Sequence, residues 1–180
     1  MSPVFAPAPL APRNCIRLAS LGMILFSLSA ATGWEAKYLV VEDRGFCGLG
    51  GRGSDGSYIS FSTMKVAQDE VGVSISNPSW TFVDDQLYPN VVLGTEKGSF
   101  SPATARGIEH GVILPTSRSF MAAFVNEGVT EDGRLTVLLG DKVLATFPLD
   151  GMRDKYEQFV ACDTIKFRDP QALPKDPFKP

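Results

Sequence analysis

Strict alternation of apolar and polar side chains constrains this chain more than any other feature. Ile59, Phe61 and Thr63 alternate with Ser60, Ser62 and Met64, and Val71, Val73 and Ile75 alternate with Gly72, Ser74 and Ser76. A two-residue period puts successive side chains on opposite faces of a strand, so each run predicts a strand with one face in a core and the other toward water. Asn77-Pro78 interrupts the pattern, Trp80-Thr81-Phe82-Val83 resumes it, and Asp84-Asp85 predicts a turn. A further strand is predicted over 88–93, with Pro89 suited to an edge or a strand start. Weaker strand signals cover 100–108 and 112–114.

The sharpest local signal is a hairpin. Leu135, Val137 and Leu139 can share one face with Val143, Ala145 and Phe147 across Gly140-Asp141, where glycine can supply the positive φ of a tight turn. Residues 117–125 predict a short helix started by Ser117, with Phe120 and Phe124 one turn apart; a strand is the alternative. Residues 126–133 read as a loop. After Pro148, Asp150 can cap a helix whose stripe is Met152, Tyr156, Phe159 and Val160, with Cys162 at its end. Strands without long intervening helices, then a hairpin and one C-terminal amphipathic helix, indicate a β-rich α+β domain: an antiparallel, sandwich-like body over 34–167.

The ends of the chain differ in character from this body. Arg13 and Arg17 precede an apolar run from Leu18 to Leu28, and small residues follow at Ser29, Ala30, Ala31 and Gly33. Basic, then apolar, then small is the order of a secretory signal peptide, predicted over 1–33 with cleavage after Ala31 or Gly33. The uncharged stretch 18–34 is at the lower limit for spanning a bilayer, so an uncleaved anchor is the alternative. Membrane contact would then be through the leader alone. Residues 168–180 hold four prolines and no apolar periodicity, which predicts a disordered tail.

Export changes what the cysteines mean. Removing the leader takes away Cys15 and leaves Cys47 and Cys162, and two cysteines in an oxidising compartment usually pair. A Cys47–Cys162 disulfide is therefore expected, against the alternative of two separate buried thiols. Periplasmic or secreted location follows from the same argument. Without Arg13 and Arg17 the mature part has 15 basic and 20 acidic residues, a formal charge of −5. Nothing in that balance invites nucleic acid, whose binding rests on Lys and Arg neutralising phosphates.

Several patterns suggest chemistry and fall short of it. Gly48, Gly50 and Gly53 match the dinucleotide spacing G-x-G-x-x-G, but such a site needs a strand running into the turn and a helix opening at the last glycine. Here 54–57 lead into an alternating strand, so the expectation is a flexible loop anchored by Cys47, with no nucleotide and no cofactor. His110, the single histidine, lies among turn formers, and no H-E-x-x-H or C-x-x-C spacing accompanies it. No metal site is expected. No G-x-S-x-G elbow is present either, so no catalytic residue is assigned. A hydrolase using His110 as base remains the alternative to a non-catalytic protein. Trp80, Phe82 and Tyr88 could form an aromatic platform for a ligand such as an envelope glycan, or simply pack into the core.

The segment Leu149-Asp150-Gly151-Met152-Arg153-Asp154-Lys155-Tyr156 directly follows the predicted hairpin. With the leader and the β-rich body, it resembles the closing module of the invasion-associated locus B family over the last third of the chain. That resemblance implies a small secreted or periplasmic bacterial protein with a sandwich-like fold and no established catalytic activity. The central cysteine pair of the family has no counterpart here, so no functional residue is carried over. The combined expectation is an exported, non-catalytic envelope protein that works by binding a protein or an envelope component.

Overall fold

A computed structural model describes residues 33–41, 44–63, 70–100 and 104–168. The predicted leader up to residue 32 and the predicted tail beyond residue 168 lie outside them. The body is strand-rich, with two antiparallel sheets and a long helix after the last strand, so the β-rich α+β expectation holds. The larger sheet has seven strands: β1 (Trp34–Val41), β2 (Arg44–Arg52), β3 (Tyr58–Thr63), β4 (Glu70–Ser76), β5 (Leu87–Tyr88), β8 (Ala105–Ile108) and β9 (Gly111–Ser117), in the order β1-β2-β3-β4-β9-β8-β5. The smaller has β6 (Val91–Thr95), β7 (Gly98–Phe100), β10 (Arg134–Leu139) and β11 (Lys142–Pro148), in the order β11-β10-β6-β7.

Alternation does in β3 what it predicts. Ile59, Phe61 and Thr63 are buried while Tyr58, Ser60 and Ser62 are half-buried on the other face. Between the sheets runs a series of rings: Trp34 meets Phe61, Phe61 meets Phe124, and Phe124 meets Phe100 of the smaller sheet at a centroid distance of 5.3 Å. The Trp34 indole Nε1 also donates to the Pro148 carbonyl at 2.7 Å, tying β1 to β11. Burial of these aromatic bodies, with the Trp34 N–H satisfied, contributes apolar stabilisation alongside the buried aliphatic side chains of the core.

Ser117 caps helix α1 (Arg118–Ala123) by accepting from the Phe120 amide at 3.1 Å, as the sequence suggests. A π-helical turn, Phe124–Gly128, extends it into the segment expected to be loop. Arg153 holds that turn by donating to the carbonyls of Val125 and Val129. Helix α2 (Met152–Arg168) packs against β1 and β2. Cys162 lies within α2 rather than at its end, and the disulfide to Cys47 joins helix to sheet with a Cα–Cα distance of 6.0 Å.

Four local expectations are corrected. The glycine-rich stretch is no loop: it is strand β2, paired on both sides. Its glycines are where neighbouring aromatics lie. A Cβ on Gly50 would strike the Tyr58 ring, one on Gly45 the Tyr38 ring, and one on Gly51 would come within 2.9 Å of the Trp34 indole. Strand 88–93 is two strands in different sheets, because Pro89 and Asn90, the latter at φ 62°, carry the chain from one sheet to the other. Residues 80–83 form no strand and pair in neither sheet. In the hairpin, Leu135 opposes Phe147 and Val137 opposes Ala145, but a bulge then shifts the register so that Leu138 opposes Val143. Val143 is thereby 61% exposed instead of sharing the core face.

Candidate functional site

The two sets of residues singled out from the sequence, the aromatics and the histidine, meet at one end of the seven-stranded sheet. The turn between β8 and β9 carries Glu109 and His110, and the segment 77–88 is laced to it by backbone hydrogen bonds. The Asn77 amide donates to the His110 carbonyl at 2.9 Å and the Phe82 amide to the Glu109 carbonyl at 3.0 Å. Further on, the Asp85 amide donates to Gly107 and the Gly107 amide to Gln86. A side chain on Gly107 would collide with the Val83 carbonyl, so close approach of this segment requires glycine there.

His110 closes the connection from the side. Its Nδ1 lies 2.9 Å from the Trp80 carbonyl, and since a carbonyl only accepts, Nδ1 carries the proton. Nε2 lies 3.5 Å from the Glu109 carboxylate. Among the described residues the two ring nitrogens face the Trp80 carbonyl and the Glu109 carboxylate, whereas a nucleophile–base pair is built on a hydroxyl or thiol contact. Cys47 and Cys162 are joined in the disulfide and offer no thiolate.

Trp80, Phe82 and Tyr88 stand in an edge-to-face series, with centroid distances of 5.9 Å and 5.1 Å. All three are half-buried and pack against the core. The Tyr88 hydroxyl accepts from the Val83 amide at 3.2 Å, closing the loop on itself. Asp85 takes the left-handed conformation, φ 62°, at the loop apex and meets Arg106 at 3.3 Å.

Two residues of this segment carry no site assignment from the sequence: Val83 falls in the strand signal of 80–83, and Leu87 in no predicted element. Val83 and Leu87 are each 62% exposed, the largest exposures among the described large apolar side chains. Their apolarity was legible, but only the path of the segment leaves them exposed. Asp84 and Asp85 of the same segment and Glu109 of the β8–β9 turn are also exposed. The anchor of the segment is polar: Asn77, 5% exposed, donates to Ser57 Oγ at 3.0 Å and accepts from Ser79 through Oδ1.

Among the described residues no three of His, Cys, Asp or Glu are grouped to hold a metal ion, and no helix is long and apolar enough to cross a membrane. An open depression of about 470 Å³ lies elsewhere, lined by Glu96, Val129, Thr130, Glu131, Asp132, Gly133 and Arg153. Two of its polar groups are engaged within the chain: both Glu96 oxygens accept from the Arg134 amide, and Arg153 serves the π-turn carbonyls. Comparison with protein families, characterised proteins and solved structures finds no match to the chain.

Proposed function

We propose that this is an exported, non-catalytic protein of the bacterial envelope that binds a protein or glycan at the ledge made by residues 77–88 and the Glu109–His110 turn. The observation that carries the reading is the exposure of Val83 and Leu87 within the same segment that holds the half-buried Trp80, Phe82 and Tyr88. An apolar centre with a carboxylate rim, set on a hydrogen-bonded scaffold, has the anatomy of a recognition surface. Export is supported by the leader pattern and by the disulfide, which persists in oxidising compartments. The resemblance at 149–156 to the invasion-associated locus B family belongs to the same proposal.

A photo-crosslinking amino acid at position 87, in the protein expressed in its own envelope, tests the ledge. Position 143, equally exposed and apolar at the hairpin, is the control. Adducts at 87 and none at 143 are expected; equal labelling at both, or none at either, would remove the ledge as the binding surface. Envelope glycans added to purified protein should change Trp80 fluorescence if the ligand is a sugar and leave it unchanged if it is a protein. Fractionation finding the intact precursor in the cytoplasm would defeat the export argument. His110→Ala abolishing a hydrolytic activity would replace the binding reading with the enzymatic one.

A further inference from the structure

Among the described residues the two sheets have four edges, and three of them carry devices that discourage another strand. Edge β5 is two residues long and is followed by Pro89. Edge β7 is three residues long. Edge β11 is bulged, begins with Lys142 and ends with Pro148. Short length, bulges, lysine and proline are the features by which sheets avoid edge-to-edge association.

Edge β1 has none of these except one lysine. It runs for eight residues, pairs with β2 in unbroken register from Trp34 to Val41, and contains no proline. Among the described residues it pairs with β2 alone. Its charges are also placed for one occupant. Glu35 and Lys37 share the face opposite Trp34, with their charged groups 2.7 Å apart.

We propose that β1 pairs antiparallel with β1 of a second copy, about a two-fold axis through Ala36, joining two seven-stranded sheets into one. In that register Glu35 of each copy lies opposite Lys37 of the other, and Trp34 lies opposite Tyr38. The core faces of both copies stay on one side, as alternation demands. Centring the pair on Glu35 or on Lys37 instead would set like charges face to face. The charge pattern therefore selects both the partner and the register.

Sedimentation velocity of the leader-cleaved protein, over a roughly hundredfold range of concentration, should show a monomer–dimer equilibrium. Lys37→Glu turns both cross-copy pairs from unlike to like and should weaken the dimer at least about tenfold. The swap Glu35→Lys with Lys37→Glu should restore it. Hydrogen exchange on the unmodified protein gives a readout free of any folding effect of substitution: β1 amides should gain protection as concentration rises while those of β5 do not. A monomer at every concentration, a dimer indifferent to Lys37→Glu, or failure of the swap to rescue would each overturn the proposal.

Discussion

Breaking the Cys47–Cys162 bond should cost this protein a large part of its stability, and mostly through the unfolded state. The cysteines are 115 positions apart, and closing a loop of that length lowers the entropy of the unfolded chain by an amount worth about 4.8 kcal/mol at 25 °C. For a domain of roughly 130 residues, with an unfolding entropy near 0.27 kcal/mol/K, this corresponds to a fall in Tm of about 18 °C. Both cysteines are buried, so the protein must be unfolded in reductant and refolded with its thiols blocked from reoxidation. Circular dichroism then gives Tm, and guanidinium titration gives the m-value. The cross-link keeps the denatured chain compact, so the reduced form should show the larger m. Cys47→Ala with Cys162→Ala should fall further still, by about 1–2 kcal/mol for the lost sulfur packing. A Tm difference under about 5 °C with equal m-values would refute the loop-entropy account, and two free thiols in native material would remove the bond itself.

Four other outcomes follow from named contacts. Gly50→Ala, whose Cβ would strike Tyr58, should destabilise by about 1–3 kcal/mol, whereas Gly48→Ala, with its nearest neighbour at 3.7 Å, should be close to neutral in the same thermal assay. Arg118→Ala strips the bidentate partner from Asp163, held at 2.6 Å and 3.1 Å, and should cost about 2–3 kcal/mol, while Arg118→Met combined with Asp163→Leu should recover most of it. Burial and then the nearby Glu35 carboxylate raise Tyr58 above the ordinary value of 10.0, and burial and then Asp163 raise Tyr156. The unfolded chain therefore ionises first, so denaturant stability should be intact below about pH 10 and fall as pH rises beyond it, with the change reduced in Tyr58→Phe. His110→Ala removes the bond to the Trp80 carbonyl and should alter the near-ultraviolet dichroism of Trp80 with little change in Tm.

What could be read from the chain divides along the range of the forces involved. Alternation in β3 and β4, the Ser117 cap and the Gly140-Asp141 turn are short-range, and each is where the residues place it. Strand β2 escaped because its glycines carry no periodicity of their own. The signal is in the other strands, where Trp34, Tyr38 and Tyr58 occupy the space the glycines vacate, and only register makes that visible. Helix α2 shows the same limit at finer grain. Counting apolar residues puts Val160 on the buried stripe, yet it is 42% exposed and Asp163 is 7% exposed. At 100° per residue Asp163 lies only about 20° from the Met152 direction and Val160 about 80° from it. The angle favours Asp163, and the Arg118 guanidinium makes its burial tolerable.

The placement of these features also explains how one small body could hold a binding surface without weakening its core. At the β1–β2 end of the larger sheet, the disulfide and the packing of α2 act on the same pair of strands, while Asp163 ties α2 to Arg118 of α1. At the β8–β5 end, stability comes from backbone bonds of segment 77–88 to the Glu109–His110 turn, and the exposed side chains Val83 and Leu87 contribute little to it. Substituting those two should therefore change binding while leaving Tm within about 4 °C, since surface positions outside caps and networks rarely move stability by more than about 0.5 kcal/mol each. A Val83→Asp, Leu87→Asp protein with wild-type Tm and undiminished crosslinking from a neighbouring ledge position would show that recognition lies elsewhere. A large loss of Tm would show that the ledge belongs to the core, and that the two ends of the sheet are not energetically separate.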